Sequence, residues 1–564
     1  MNNNKIIFQN GNGPIDNGLV DQAGISPQFQ KFIKQYQKAL AELEPKGEIA
    51  TIHVDEIASK VAAFYEKIRK IIDWKEEHLI RRAAIERNLK RRLIAKISEF
   101  SLIPNVSPEK MAEPLVLELI RGGHFANDQI PRKKLIKIQE ILKKYVYILE
   151  NSPLAKSSKV KKKINLYNWI LEIAACEIEE TLDPPLKENL LIKFMTSLMM
   201  EKIQVDPNVG LGENEKKRQI YIAVHRTLFN LDSPIISYHL IKSHYSQWQN
   251  PDQPFLDEVT KNILALWKTI DDNLSHPLSS NFQKICEKYD TLYLIIGDIF
   301  NQLSQEPAKI PAVIANSQAV ENLIKQAYDK RLSTLRSRLF RSAVYSTLSI
   351  FLSNAVSLFI FEVPLAKLFY GRFSSLATAV DIAIPTLIML LMVATVKTPK
   401  ENNFRVVMKE IKKIVYLAKE KDIYEIRTQK KRALLVNCLI VFLYTLTSLL
   451  STVLVLAIFY FARVPITSIV IDTLNVAMIV FAGLLIRQRS KELTVEEKTT
   501  FWQFSLDVIS IPVAKLGQWL SNKWKEYNIV SIFFTALVDM PLTSFVEFVE
   551  SWSLFLKEKK AEIH

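Results

Sequence analysis

The sequence predicts an all-α membrane protein: an N-terminal cytosolic helical bundle, four transmembrane helices in two hairpins, and C-terminal amphipathic interfacial helices. Three observations carry that prediction. Residues 342–361 and 433–462 hold no charged side chain, 373–396 holds only Asp381, and 464–486 holds only Asp472. A helix needs about 20 apolar residues to cross the hydrocarbon layer. Glycine is scarce, at 13 of 564 residues, and no alternating strand pattern competes with the helical periodicity. Finally, the basic residues gather at one end of each run. Lys330, Arg331, Arg336, Arg338 and Arg341 precede the first, and Arg487, Arg489 and Lys491 follow the fourth. The intervening connector, 397–432, carries twelve Lys/Arg against five Asp/Glu. Cytoplasmic loops retain Lys and Arg, so both termini are placed in the cytoplasm and the net charge of +15 is read first as topological.

In chain order, residues 1–24 read as a disordered tail of Asn, Gly and Pro, with no apolar leader. Residues 25–335 read as one all-α cytosolic domain, or two. Val54, Ile57, Val61, Phe64, Ile68 and Ile71 recur at spacings of three and four, predicting a long helix over 54–98. Pro and Gly breaks such as Pro153, Pro184-Pro185, Pro234 and Pro251 then separate amphipathic stretches: 132–149, 166–182, 187–203, 216–231 and 256–274. Residues 336–490 form the four-span membrane domain, with 397–432 as a basic cytosolic connector. Its apolar stripe (Val406, Val407, Ile411, Ile414, Val415) suits either the leaflet or the soluble domain. Residues 491–564 mix aromatic and charged residues, which suits helices lying in the interface; within them, 529–556 lies on, dips into or spans the bilayer.

Asp381 and Asp472 are the sharpest candidates, because an ionisable group inside a span is costly. Asn475 and Asn354 complete a polar set. The competing reading is a buried hydrogen bond or ion pair that holds the bundle together. A second group, Arg81, Arg82, Lys90, Arg91, Arg92, Arg336, Arg338 and Arg341, could meet an anionic leaflet, or, for the first five, form a solvated helix face. His225, His239 and His244 lack metal-ligand spacing, and Gly210 and Gly212 lack the rest of a phosphate loop. No nucleophile has a base at motif spacing, so no catalytic, cofactor or metal site is expected. Three well-separated cysteines form no disulfide framework. The expected function is a non-enzymatic integral membrane adaptor or scaffold that presents 25–335 to a protein partner at an anionic leaflet. The alternative is a small oligomeric channel or ion-coupled transporter using Asp381 and Asp472. Homo-oligomers fit either case, nucleic acid neither, and a bacterial inner membrane suits the composition.

Overall fold

The computed structural model describes residues 6–8, 24–43, 50–54, 77–93, 108–153, 160–357, 359, 364, 375–394, 396, 398–399, 401–416, 422–427, 434–461, 466–495, 501–526, 548, 552, 555–556 and 559. The chain is predominantly helical. Strand β1 (Ile6–Phe8) precedes α1 (Pro27–Leu43), α2 (Glu77–Leu93), α3 (Glu109–Arg121), α4 (Lys133–Asn151), α5 (Val160–Leu182) and α6 (Leu186–Lys202). Then come β2 (Ile203–Val205), α7 (Glu213–Leu228), α8 (Ser233–His244), α9 (Gln253–Leu274), α10 (Ser279–Cys286), α11 (Asp290–Leu303) and α12 (Ile310–Ala315). The apolar half holds α13 (Ser317–Ser357), α14 (Ser375–Ala394), α15 (Glu401–Val415), β3 (Tyr424–Ile426), α16 (Leu434–Phe461), α17 (Ile466–Arg489) and α18 (Phe501–Glu526).

Local chemistry explains the helix starts. Asp232 accepts from the Ile235 amide and Asp252 from the Phe255 amide, each followed by a proline in the first turn. That pairing satisfies an orphan N–H and presets the backbone for α8 and α9. The described part of the long predicted helix is α2; residues 55–76 lie outside the described residues. Val54 belongs instead to an extended segment whose Thr51 bridges to Pro131. There Val54 is buried, and its N–H and C=O both bond the Asn127 amide group. Side-chain satisfaction of the backbone replaces the helical ladder at that point.

One hydrophobic core runs from Phe29 on α1 to Ile426 on β3. It includes Val407, Ile411, Ile414 and Val415 of α15. The apolar stripe of the connector is therefore buried in this helical core. Ser26 donates from its backbone to the Val415 carbonyl (2.9 Å) and Tyr416 donates to the Ile314 carbonyl (2.9 Å). Strand β3 is the centre of a three-stranded sheet, parallel to β2 and antiparallel to β1. Thus Ile6–Phe8, within the tail expected to be disordered, pairs with the connector.

Among the described residues, α16 is long and apolar enough to cross a bilayer; it has 28 residues and little of it is buried. Among the same residues, α14 holds the shorter apolar helix Ile382–Ala394.

The helix expected to lie in the interface packs lengthwise on α17. Asp507 of α18 meets Arg487 (2.9 Å), and Gly517 meets Ala477. Ten residues forward along α18 equal ten back along α17, so the pair is antiparallel. On that register Glu526 stands beside residue 468, at the start of α17. A methyl at Gly517 would overlap the Ala477 carbonyl, so only glycine allows this approach.

Candidate functional site at the junction of soluble and apolar helices

Helix α13 links the two halves without a break over 41 residues. Its first turns bury Val320, Ile324, Ala327 and Tyr328 in the main helical core. Past Ser342 the outward residues become apolar: Leu348 is 59% exposed and Leu352 61%. The chain then comes back to the main helical core at the end of α17. Thr291 donates to the Glu492 carbonyl (2.8 Å), Asn403 donates to the Leu493 carbonyl (2.7 Å), and Val495 donates to the Asn403 side chain (2.9 Å). Leu493 packs in one cluster with Leu335, Leu339, Met389 and Ile486. Helices α13, α14 and α17 are thereby tied to one another beside the soluble core.

A cavity of about 420 Å³ opens at this junction, lined by Asp298 and Asn301 of α11, Lys330, Arg331 and Arg338 of α13, and Glu492. Arg331 donates to both Asp298 oxygens, one at 2.9 Å. A second cleft of about 260 Å³ lies between α5, α7, α8 and α9. Its wall is formed by Trp169 and Trp267, whose rings lie 6.0 Å apart, with Glu172 and Arg226 beside them. Arg226 spends donors on Ser279 Oγ and the Leu274 carbonyl, both at 2.9 Å.

The expected polar residues divide sharply. Asp472 is 2% exposed on α17 and Asn475 half-buried one turn on. The side chains of Asp381 and Asn354 lie outside the described residues. The basic residues of α2 are answered within the fold. Arg81 pairs with Glu179 (3.0 Å) and Asp183 (2.7 Å), Arg82 with Glu86 and Asp232, Lys90 with Glu86 and Glu172, and Arg91 and Arg92 with Glu118. Carboxylates from other helices neutralise that face, which makes it an internal strut. Arg336, Arg338 and Arg341 are exposed, and among the described residues no carboxylate lies within ion-pair distance of them. Sequence reading missed the cavity, although Lys330, Thr334 and Arg338 recur every four residues on one face of α13.

Two buried histidines come together, with His225 and His239 rings 5.2 Å apart. His225 donates from Nδ1 to the Tyr221 carbonyl (2.8 Å), leaving Nε2 buried without a partner among the described residues. Burial, then the neighbouring His239, holds His225 at about 3; burial and Lys242 hold His239 at about 4. Both are neutral structural rings. Among the described residues, no three of His, Cys, Asp and Glu converge on a metal position.

Burial pushes the Asp290 and Glu179 carboxyls up to about 7. The signs oppose. The histidines, depressed from 6.5, contribute stability that is lost as pH falls from there toward 4. The acids, raised from 3.8 and 4.5, contribute stability that is present at low pH and lost as pH rises toward 7. Between roughly pH 4.5 and 6.5 the two pairs offset each other. Asp290→Asn keeps the acceptor for Thr291 but removes one acid. It is expected to match the wild type at pH 4 and to be more stable by about 1–3 kcal/mol at pH 8, read by chemical denaturation. A variant no more stable than wild type at pH 8 would refute the assignment.

Comparison with family models, curated proteins and solved structures finds no match for this chain in any of the three.

Proposed function

We propose that this chain is an integral membrane scaffold that holds a helical domain rigidly against the cytoplasmic face for a protein partner. The continuous α13 carries the reading, since it belongs to the soluble core at one end and exposes apolar side chains at the other. Helix α16 crosses the bilayer in this reading, and α13, α14 and α17 cross with it as two hairpins with the N-terminus inside, α18 entering the bilayer alongside α17. The polar interruption at Asp472 is tolerated because the fold buries it. The returns through α15 and 490–495 fix the height of the domain above the membrane, which a flexible tether would not do. In this reading the partner meets α4 and α5, where Ile136 is 60% and Ile164 43% exposed. A fragment ending at residue 335 would lack the core residues of α15, so the test uses the full chain. A photoreactive residue at Ile136 or Ile164 should give one discrete heterologous adduct in cells. Purified protein in liposomes should carry no ion flux. Flux without an adduct would reverse the reading.

A second reading, an oligomeric transport protein, draws on Lys515. It is exposed on α18 and, on the register above, lies beside residue 479, midway along α17. A cation facing lipid at that depth costs about 2.5–3.5 kcal/mol, so this face would suit water or a second copy. Flux abolished by Lys515→Met or Asp472→Asn would favour it.

A further inference from the structure

We propose that the 420 Å³ junction cavity binds the phosphate headgroup of an anionic phospholipid, a step that rests on the membrane reading above. Charge is the first argument. Arg331 is committed to Asp298. Lys330 and Arg338 line the same cavity, and among the described residues no carboxylate lies within ion-pair distance of either. Asn301 uses its side-chain carbonyl to accept from Tyr36, which leaves its amide N–H groups to donate. The lining thus combines two uncommitted cations with a neutral donor, the set that a phosphodiester oxygen takes. Set against them is Glu492, whose carboxylate makes the cavity's balance three cations to two anions.

Position is the second argument. Arg338 stands four residues before Ser342, where the apolar run begins, or about 6 Å along the helix. That is the depth of the headgroup layer when the run starts at the hydrocarbon boundary. Above it Val344, Leu348 and Leu352 are exposed and apolar, offering a track for an acyl chain. Arg336 and Arg341 also flank the run, but neither lines the cavity. Arg336 is on the other side of the helix from Lys330 and Arg338. A lipid held here would bridge α11, α13 and the end of α17, strengthening the tie between the soluble domain and the apolar helices.

The test is native mass spectrometry of the detergent-solubilised full chain titrated with dioleoyl phosphatidylglycerol, dioleoyl phosphatidylcholine or inorganic phosphate. Phosphatidylglycerol should bind, and Lys330→Gln with Arg338→Gln should weaken it roughly thirtyfold. Arg336→Gln should leave it within about twofold, because only diffuse attraction is lost. Glu492→Gln should tighten it several-fold, an outcome that a merely misfolded variant cannot give. Equal weakening by Arg336→Gln, or none by the double variant, would overturn the site in favour of diffuse attraction. Millimolar phosphate that binds through Lys330 and Arg338 as well as the lipid does would assign the cavity to a soluble phosphate and overturn the headgroup. Alkaline carbonate extraction separates the two readings. A wild-type chain released from membranes defeats the membrane reading. A retained chain whose double variant binds lipid normally defeats the headgroup site alone.

Discussion

Glu177→Ala is expected to destabilise the soluble domain by about 3–5 kcal/mol, the cost of stranding one member of a buried ion pair. Lys144 on α4 donates to both Glu177 oxygens on α5, at 2.6 and 2.8 Å, and to the Trp248 carbonyl at 2.8 Å. Tyr145 Oη and Trp248 Nε1 donate to the same carboxylate, at 2.7 and 3.2 Å. The Lys144 and Glu177 side chains are 4% and 3% exposed, so water cannot replace a lost partner. Burial already pulls the Lys144 ammonium below its ordinary range, with Glu177 opposing that pull. Removing Glu177 leaves the ammonium with one carbonyl and the faces of Tyr145 and Trp248. Lys144→Met with Glu177→Leu removes both charges and should recover only part of the loss, since Tyr145 Oη, Trp248 Nε1 and the Trp248 carbonyl still lose their partners. Equilibrium denaturation of the detergent-solubilised chain measures both. A single-variant loss below about 1 kcal/mol would show that the pair is hydrated.

Gly517→Leu is expected to part α18 from α17. The atoms that an added Cβ would meet are backbone atoms of Ala477 and Met478, which cannot rotate aside as a side chain can. Overpacking in a core costs about 1–3 kcal/mol even where side chains adjust, so separation is the cheaper outcome here. The readout is bis-maleimide cross-linking between Arg487→Cys and Asp507→Cys in a Cys438→Ser background. Gly517→Leu should lower the yield about tenfold, with Gly517→Ala intermediate. An unchanged yield would mean that α18 does not rest on α17 through this contact.

The parts that could be read from the sequence are those set by local rules. The breaks at Pro234 and Pro251 fall at the starts of α8 and α9, and the apolar periodicities of 132–149 and 256–274 match α4 and α9 to within a few residues. Long-range pairing could not be read. Lys144 and Glu177 are 33 residues apart and look like surface residues until the helices meet. The basic run of α2 looked free because its partners come from α3, α5 and the start of α8. The stripe on α15 announced a buried face without saying what would cover it. At the C-terminus, charge among aromatics suggested an interfacial helix, while the contact at Gly517 is written in a single residue. The cavity was hidden for the same reason: only Arg338 and its neighbours on α13 are local, whereas Asp298, Asn301 and Glu492 arrive from elsewhere in the chain.

In the proposed architecture α13 leaves the helical core to enter the bilayer and α16 crosses it. Single cysteines at Ser333 and at Phe461, in a Cys438→Ser background, test this with a membrane-impermeant maleimide applied to sealed cells. Both positions lie in the described helices, and Phe461 is 81% exposed. The account predicts that Phe461→Cys is labelled from outside, and Ser333→Cys only after the membrane is opened. Labelling of both only after opening would contradict it, because α16 would then not cross the bilayer and the soluble domain would have no anchor of the kind described.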